Sequence, residues 1–272
     1  MNITVINGGM RHGSTWHCKE TIVKALVERT DTMVTEFTLP KDLPHFCTGC
    51  YQCFLKGEQT CPHAAFVKPI VDALVESDLI VLTSPVYGLD VAAPMKALID
   101  HLCFMWMSHR PNAAMFHKLG LVVTTTAGMG AGRTAKTMRL SLMYWGTKNI
   151  FTFKKPVGAM NWDDIPAQKH QKIQRDARVL ARRIQKAADN IDRLHKPLLR
   201  SFMFSMMASM HKGSNWNPTD RMHWERQGWL AGKRPFNQNR CFTRLEQKQV
   251  VCCFIPYLLY AYTRFSAGYS CV

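Results

Sequence analysis

Short apolar runs alternate with amphipathic stretches along the first 195 residues of the chain. Runs rich in β-branched and other apolar residues predict five strands, at residues 3–6, 33–39, 78–83, 119–125 and 149–153. After the first run, Ile22, Val23, Leu26 and Val27 recur at the spacing of one helix face. Similar spacing predicts helices around residues 66–74, 94–102 and 134–144, and a long basic helix over 166–194.

This alternation of strands and helices restricts the folds that the chain can adopt. Right-handed crossover connections place helices on both faces of a parallel sheet. The nearly continuous apolar run at 78–83 is typical of a central strand that is buried on both faces. The pattern therefore predicts an α/β fold built on a doubly wound, five-stranded parallel sheet.

Composition indicates a folded protein with a strong positive charge. Hydrophobic residues make up 47% of the 272 residues and charged residues 20%, which argues against a disordered or fibrous chain. The formal net charge of +16 favours acidic surfaces, phosphates and anionic cofactors as partners. The N-terminus has no secretory signal pattern, so we expect a cytoplasmic protein.

The last 77 residues differ in character from the rest. Residues 196–272 carry 11 Lys and Arg but only 3 Asp and Glu, and they are rich in Met and Trp. We therefore predict two parts, a domain over 1–195 and a basic extension over 196–272. A methionine-rich stripe at helical spacing, from Leu199 to Met210, predicts an association element in the extension. The extension contains no recognised nucleic-acid motif, whereas contact with a membrane surface stays open.

Three loops that follow predicted strands carry the candidate binding chemistry. The first loop, residues 8–15, is rich in small residues that let a backbone close around a phosphate. The second loop, residues 84–88, reads Ser-Pro-Val-Tyr-Gly, and the third, residues 127–132, is rich in glycine. Ligands of parallel sheets bind beyond the carboxyl ends of the strands, so these loops predict a single cofactor site.

The second loop and the helix after it carry a family resemblance. Ser84-Pro85-Val86-Tyr87, followed by a Pro-x-Lys-x-x-x-Asp pattern from Pro94 to Asp100, resembles the NADPH-dependent FMN reductase and iron–sulfur flavoprotein family. The resemblance covers roughly residues 1–194 and implies a flavodoxin-like fold that binds FMN and uses NAD(P)H as reductant. Where the family commonly has Arg after this Asp, the chain has His101, which we interpret as a residue of the helix surface.

The resemblance also implies roles for individual residues. The FMN phosphate would be held by Gly9, Arg11, Ser14 and Thr15. The loop against the flavin ring would be formed by Ser84, Pro85, Val86, Tyr87 and Gly88, and the third wall by Ala127, Gly128, Met129 and Gly130. The phosphate loop departs from the common Gly-Ser-Pro-Arg pattern, having Gly8-Gly9-Met10-Arg11 instead. No general acid or base is assigned, since hydride transfer takes place at the flavin.

Four cysteines form a compact cluster in the loop after the second predicted strand. Cys47, Cys50, Cys53 and Cys61 are separated by two, two and seven residues. Four close thiols can bind one tetrahedral metal or one iron–sulfur cluster, and the spacing resembles that of iron–sulfur flavoproteins. A 4Fe–4S cluster, zinc and unligated thiols all remain open.

These observations predict an FMN-dependent NAD(P)H oxidoreductase that passes electrons to a small acceptor such as a quinone. One alternative is an iron–sulfur flavoprotein that carries electrons through a 4Fe–4S cluster and accepts them from ferredoxin. Another is a non-enzymatic regulatory module that binds a metal or an anion. Paired flavodoxin-like subunits often complete each other's flavin pockets, so the resemblance also implies a homodimer.

Overall fold

The computed structural model describes residues 1–29, 31–194 and 198–236. The strands are β1 (Asn2–Asn7), β2 (Met33–Thr38), β3 (Leu79–Thr83), β4 (Val86–Tyr87), β5 (Asp90–Val91), β6 (Leu119–Thr126) and β7 (Asn149–Pro156). The α-helices are α1 (Ser14–Val27), α2 (Gln52–Leu55), α3 (Ala64–Glu76), α4 (Ala93–His101), α5 (Ala131–Tyr144), α6 (Ala167–Asp189), α7 (Leu198–Gly213) and α8 (Pro218–Arg226).

Five strands form one parallel sheet in the order β2-β1-β3-β6-β7. This arrangement confirms the predicted five-stranded parallel sheet. The long basic helix α6 ends at Asp189, five residues before the predicted end. The order of the strands reverses direction after β2, because the chain returns past β1 to form β3. Crevices that bind ligands occur at such a switch point, beyond the carboxyl ends of β1 and β3.

Each face of the sheet packs against its own set of helices. Apolar residues of α1 and α6, such as Ile22 and Ala177, pack on one face. Residues of α3, α4 and α5, such as Leu74, Leu98 and Leu142, pack on the other. Helices on both faces are the consequence of right-handed crossovers, so the doubly wound prediction is confirmed.

The helices α7 and α8 pack as part of the same compact unit as the sheet. This unit spans Met1–Pro235, whereas the sequence predicts a boundary after residue 195. The difference has a physical cause, since Arg200 is buried and donates to the carbonyl of Gly146 at 2.8 Å. Trp224 is also buried, and its indole nitrogen donates to the carbonyl of His109 at 2.6 Å.

The methionine-rich stripe of α7 is partly covered by the chain itself. Met203 is buried, while Phe202, Met206, Met207 and Met210 are half-buried. Its role in association stays a prediction. The rest of the predicted extension, residues 237–272, lies outside the described residues. Within the described residues, no helix has both the length and the apolar character needed to cross a membrane.

Candidate functional site

A cleft of about 370 Å³ opens at the carboxyl ends of β1, β3 and β6. It brings together parts of all three loops that the sequence singled out. The predicted residues that line it are Gly9, Arg11, Ser14, Thr15, Pro85, Val86, Tyr87 and Ala127. The predicted residues Ser84, Gly88, Gly128, Met129 and Gly130 do not line it. The volume falls within the range of pockets that hold a small molecule or cofactor.

The first loop ends at the N-terminus of α1, which faces the cleft. Gly13 precedes the helix, no side chain caps it, and its first turn contains no acidic residue. The first backbone N–H groups of a helix have no partner within it, and the helix dipole is positive there. Ser14 and Thr15 are buried beside these groups, and the exposed Arg11 adds a positive charge. This end of the cleft therefore suits a phosphate.

The second loop turns into a small antiparallel hairpin made of β4 and β5. Pro85, Val86 and Tyr87 present an apolar and aromatic wall to the cleft, and Tyr87 is 45% exposed. Gly88 has a φ of +55° at the tip of the hairpin, a conformation that glycine adopts without steric cost. The wall is apolar and aromatic, which suits contact with an aromatic ring system.

Two polar side chains hold this hairpin in place. Ser84 is fully buried, and its hydroxyl accepts a hydrogen bond from the backbone of Ala92 at 2.9 Å. It therefore supports the hairpin rather than lining the cleft. Asp90 accepts hydrogen bonds from Arg133 at 2.8 Å and Thr137 at 2.7 Å, which tie the hairpin to α5. Burial alone would raise the pKa of Asp90, but these hydrogen bonds outweigh it and lower the pKa below its ordinary value.

The third loop contributes mainly through its packing. Thr126 accepts from the backbone of Gly128 and donates to the carbonyl of Met129 at 2.7 Å, closing a tight turn. Met129 is 76% exposed. Gly130 has a φ of +94°, and a Cβ there would lie 2.6 Å from Val86. This loop therefore braces the hairpin from behind, and only Ala127 reaches the cleft.

Several lining residues were not predicted from the sequence. Asn7 and Thr83 lie at the ends of neighbouring strands and share a hydrogen bond of 3.1 Å. Thr125 pairs with Thr15 through their hydroxyls at 2.7 Å. The loop after β7 supplies Met160, whose carbonyl accepts from Arg11 at 2.8 Å. The position of Asn7, Thr83 and Thr125 at strand ends was the signal that could have found them.

The four predicted cysteines line a second cavity, of about 390 Å³. Cys47 and Cys50 are exposed, Cys53 and Cys61 are half-buried, and all four are free thiols. Hydrogen bonds from the backbone of Gln52 and from Thr48 lower the pKa of Cys50. Burial raises the pKa of Cys53. The loop therefore brings the four thiols to one cavity, which suits a soft metal centre, and ligation by the four cysteines stays a prediction.

His101 lies beside this cavity and is buried, at 5% exposure. The interpretation of His101 as a helix-surface residue is therefore wrong. The loop between β2 and α3 folds over the end of α4 and covers the ring. Nδ1 of His63, in that loop, lies 2.9 Å from Nε2 of His101. The helical pattern of α4 alone could not reveal a cover supplied by a distant loop.

A buried ion pair joins α8 to the segment after α4, and that segment in turn contacts the cysteine loop. Asp220 is fully buried and accepts from Arg110, and it also accepts from His109 at 2.8 Å. Arg110 donates in turn to the carbonyl of Cys53. The hydroxyl of Thr219 donates to the carbonyl of Leu55 at 2.7 Å. Helix α8 therefore holds the segment that carries Cys53 in place.

The first cleft fits FMN in chemistry as well as in size. Its uncapped helix N-terminus and Arg11 suit a phosphate, and its hairpin wall suits a flat ring. Gly9 approaches Pro85 so closely that a Cβ would lie 3.2 Å from the proline ring, so the first and second loops meet at the edge of the cleft. The phosphate and ring contacts of individual residues stay predictions.

Comparison with known proteins supports the resemblance carried by the second loop. Residues 1–156 match the model of the family described as NADPH-dependent FMN reductase, which is more than half of the chain. The family resemblance inferred from the sequence is confirmed, and the match supports FMN and NAD(P)H as the cofactors. It likewise supports a flavin oxidoreductase rather than a binding module.

Two curated relatives are named iron–sulfur flavoproteins. The one from Archaeoglobus fulgidus is 32% identical over 148 residues, which cover 54% of this chain and 61% of the relative. The one from Clostridioides difficile strain 630 is 31% identical over 127 residues, covering 46% of this chain and 54% of the relative. The matched segments thus span little more than half of these relatives.

Solved structures show the same fold at low sequence identity. An FMN-dependent NADH-azoreductase from Bacillus anthracis strain Ames Ancestor, solved in complex with FMN, aligns with a TM-score of 0.51 at 9% identity. The alignment covers 68% of this chain and 99% of that one. The azoreductase AzrA aligns with the same score at 14% identity, over 68% of this chain and 98% of its own. The predicted flavodoxin-like class is confirmed.

Proposed function

Because the chain belongs to the NADPH-dependent FMN reductase family, we propose that it is an FMN-dependent NAD(P)H oxidoreductase. It would pass electrons from a nicotinamide through FMN to a small acceptor such as a quinone. The observation that carries this proposal is the 370 Å³ cleft, which is lined both by an uncapped helix N-terminus and by an apolar hairpin wall. A phosphate and a flat ring, joined in one molecule, match these two ends.

The residues of the cleft divide the work of binding. The backbone of α1's first turn, with Ser14 and Thr15, would donate hydrogen bonds to the phosphate. Arg11 would add a charge-assisted contact in exchange for its present bond to Met160. Pro85, Val86 and Tyr87 would orient the ring and exclude water from one of its faces. FMN, when bound, accepts hydride from the nicotinamide and releases electrons to the acceptor.

The four cysteines support a second candidate, an electron carrier with a 4Fe–4S cluster. Cys47, Cys50, Cys53 and Cys61 line one cavity, and two relatives bear the name iron–sulfur flavoprotein. In this case ferredoxin would supply the electrons. Protein purified anaerobically would contain iron and sulfide in proportion to protein, and Cys50→Ser would lose both. FMN without iron in such a preparation would exclude the cluster, and the proposal of a flavin reductase without a cluster would be kept.

The proposal extends to the surroundings in which the protein works. All six cysteines of the described part of the chain are free, as expected in a reducing compartment, which supports a cytoplasmic location. A second copy of the chain is the expected macromolecular partner. The exposed apolar side chains on the loops around the cleft support it.

The direct test removes the aromatic wall of the cleft. Tyr87→Ala should weaken FMN binding by roughly tenfold, because burying a large aromatic contact contributes on the order of 1–2 kcal/mol. Titration of FMN fluorescence against apoprotein measures the dissociation constant. NAD(P)H oxidation at subsaturating FMN should fall in parallel.

Tyr51→Ala is the matched control, since Tyr51 is also exposed, at 63%, but lies outside the cleft. It should bind FMN like the wild type. Equal dissociation constants for the wild type and Tyr87→Ala would count against the ring site. A wild-type protein that binds FMN but does not oxidise NAD(P)H would refute the proposed activity.

A further inference from the structure

One thiol and two imidazoles converge at an end of the cysteine cavity. The ligand atoms of Cys61, His63 and His101 all lie within 4.8 Å of one another. In the described residues, this is the one group of three or more His, Cys, Asp or Glu side chains with that spacing. We propose that Cys61, His63 and His101 form a site for a single divalent ion of borderline softness, with Zn²⁺ as the best match.

The ring of His101 is already oriented for ligation. Its Nδ1 lies 2.8 Å from the carbonyl oxygen of Ala97. A carbonyl can only accept, so Nδ1 carries the hydrogen, and the neutral ring keeps a lone pair on Nε2. Metal-binding histidines characteristically hold their second nitrogen in this way, which fixes the tautomer and the ring plane. The lone pair of His101 points to His63.

The spacing of the two rings is close to that of ligands around one ion. Nδ1 of His63 and Nε2 of His101 lie 2.9 Å apart. Two nitrogens at ~2.0–2.1 Å from a tetrahedral Zn²⁺ lie roughly 3.3 Å apart. The rings therefore need to separate by only a few tenths of an ångström. The ring of His45 stacks on His63 at 4.5 Å and holds its plane.

Binding of the ion needs no oxidant or reductant, because only protons move. In the ion-free protein, Nδ1–H of His63 donates to Nε2 of His101. On binding, that hydrogen moves to Nε2 of His63. Nδ1 of His63 and Nε2 of His101 then each form one bond to the ion. The Cys61 thiol releases one proton to solvent as its sulfur binds. Three protein ligands leave the fourth tetrahedral position to a water molecule.

This site differs from a four-cysteine cluster in all but one ligand. Cys47 and Cys50 are exposed and do not belong to the converging group. Both centres need Cys61, so one chain can hold only one of them at a time. The inference goes beyond the proposed reductase activity, and FMN binding does not depend on it. The ion is the expected occupant when no cluster has been assembled.

The experiment titrates full-length protein, stripped of metal and kept reduced, with Co²⁺ as a spectroscopic probe for Zn²⁺. The wild type should bind one equivalent, with a thiolate charge-transfer band and visible bands of four-coordinate intensity. One proton should be released per ion, and Zn²⁺ should displace Co²⁺. His63→Ala and His101→Gln should each weaken binding by at least about tenfold, since each removes a ligand.

Cys47→Ser and Cys50→Ser are the matched controls, because both thiols line the same cavity but lie outside the group. They should bind Co²⁺ like the wild type while losing any iron–sulfur cluster. The proposal is overturned if Co²⁺ does not bind, if His63→Ala binds it unchanged, or if Cys47→Ser abolishes the bands. His63 is half-buried rather than buried like His101, so His63→Ala keeps the test valid if His101→Gln fails to fold. FMN content, measured in every variant, reports separately on the reductase proposal.

Discussion

Individual thiols of this chain lie in opposite environments. Burial raises the pKa of Cys18 to about 12, and that of Cys103 to about 11. Hydrogen bonds lower the pKa of Cys50, which is exposed. The thiolate is the reactive form, so the environment of each sulfur decides its chemistry. Cys50 is suited to reaction and ligation, whereas Cys18 lies on the buried face of α1 and is a core residue.

In metal-free protein at pH 8, iodoacetamide should therefore label Cys50 at least roughly a hundredfold faster than Cys18. The reason is that the raised pKa keeps Cys18 protonated and its burial excludes the reagent. Peptide mass spectrometry over a time course measures both rates. Cys103 serves as the internal control and should also react slowly. Equal labelling of Cys18 and Cys50 would show that the core is open in solution.

Asp220 is buried in an ion pair, so replacing it tests how much that pair stabilises the protein. Asp220→Asn should lower the free energy of unfolding by about 3–5 kcal/mol, because it leaves Arg110 buried beside a neutral partner. Urea unfolding followed by circular dichroism measures the change. Asp72→Asn, which breaks an exposed ion pair with Lys68, is the control and should cost less than about 1 kcal/mol. Similar values for both variants would mean that the Arg110–Asp220 pair does not hold α8 in place.

The β4–β5 hairpin depends on a close approach of the N-terminus of α5. Gly130→Ala should destabilise the protein by about 1–3 kcal/mol and weaken FMN binding. The added Cβ would lie 2.6 Å from Val86 and 3.0 Å from Leu89, at a φ of +94°. The expected result is a lower midpoint of thermal unfolding together with a raised FMN dissociation constant.

Gly132→Ala, in the first turn of α5, is the control. A Cβ at Gly132 meets nothing within 4 Å, and its backbone is helical. This variant should stabilise the protein by about 0.5–1 kcal/mol, because alanine loses less backbone entropy in a helix. If Gly130→Ala behaved like Gly132→Ala, the hairpin would not rest on α5 as described.

The strands and helices were predictable from the sequence, because the residues that specify each of them are neighbours along the chain. The apolar run at residues 78–83 predicted a central strand of the sheet. The loops that follow the strands predicted a cleft at the carboxyl ends of those strands. The clamp between Asp220 and Arg110 joins residues 110 positions apart, and hydrophobic periodicity carries no record of such a pair. The burial of His101 could not be predicted for the same reason, since His63, which packs against its ring, belongs to a different part of the chain. Pairings of buried polar groups are decided by the folded chain.

On the surface of the molecule, apolar side chains are exposed on the loops around the cleft. Met10, Tyr87, Leu89, Met129 and Met160 are between 45% and 80% exposed. Grouped exposed apolar residues mark interaction surfaces. A second copy of the chain covering this surface would also shield the flavin. We therefore predict a homodimer.

Light scattering of the purified protein should give the mass of two chains. Met129→Glu and Met160→Glu together should shift the mass toward one chain, because burying two carboxylates at an interface is costly. Met222→Glu is the control, since Met222 is 45% exposed on α8, outside these loops. A monomeric wild type, or a dimer insensitive to the double change, would contradict this interface.

The proposed function requires that the cleft hold FMN and that a nicotinamide reduce it. The most direct test is an anaerobic titration of FMN-reconstituted protein with NADPH, and separately with NADH, followed by the visible absorbance of the flavin. We expect one bound FMN per chain and complete bleaching by one equivalent of at least one of the two nicotinamides. Failure to retain FMN, or bound FMN that neither nicotinamide bleaches, would contradict the claim.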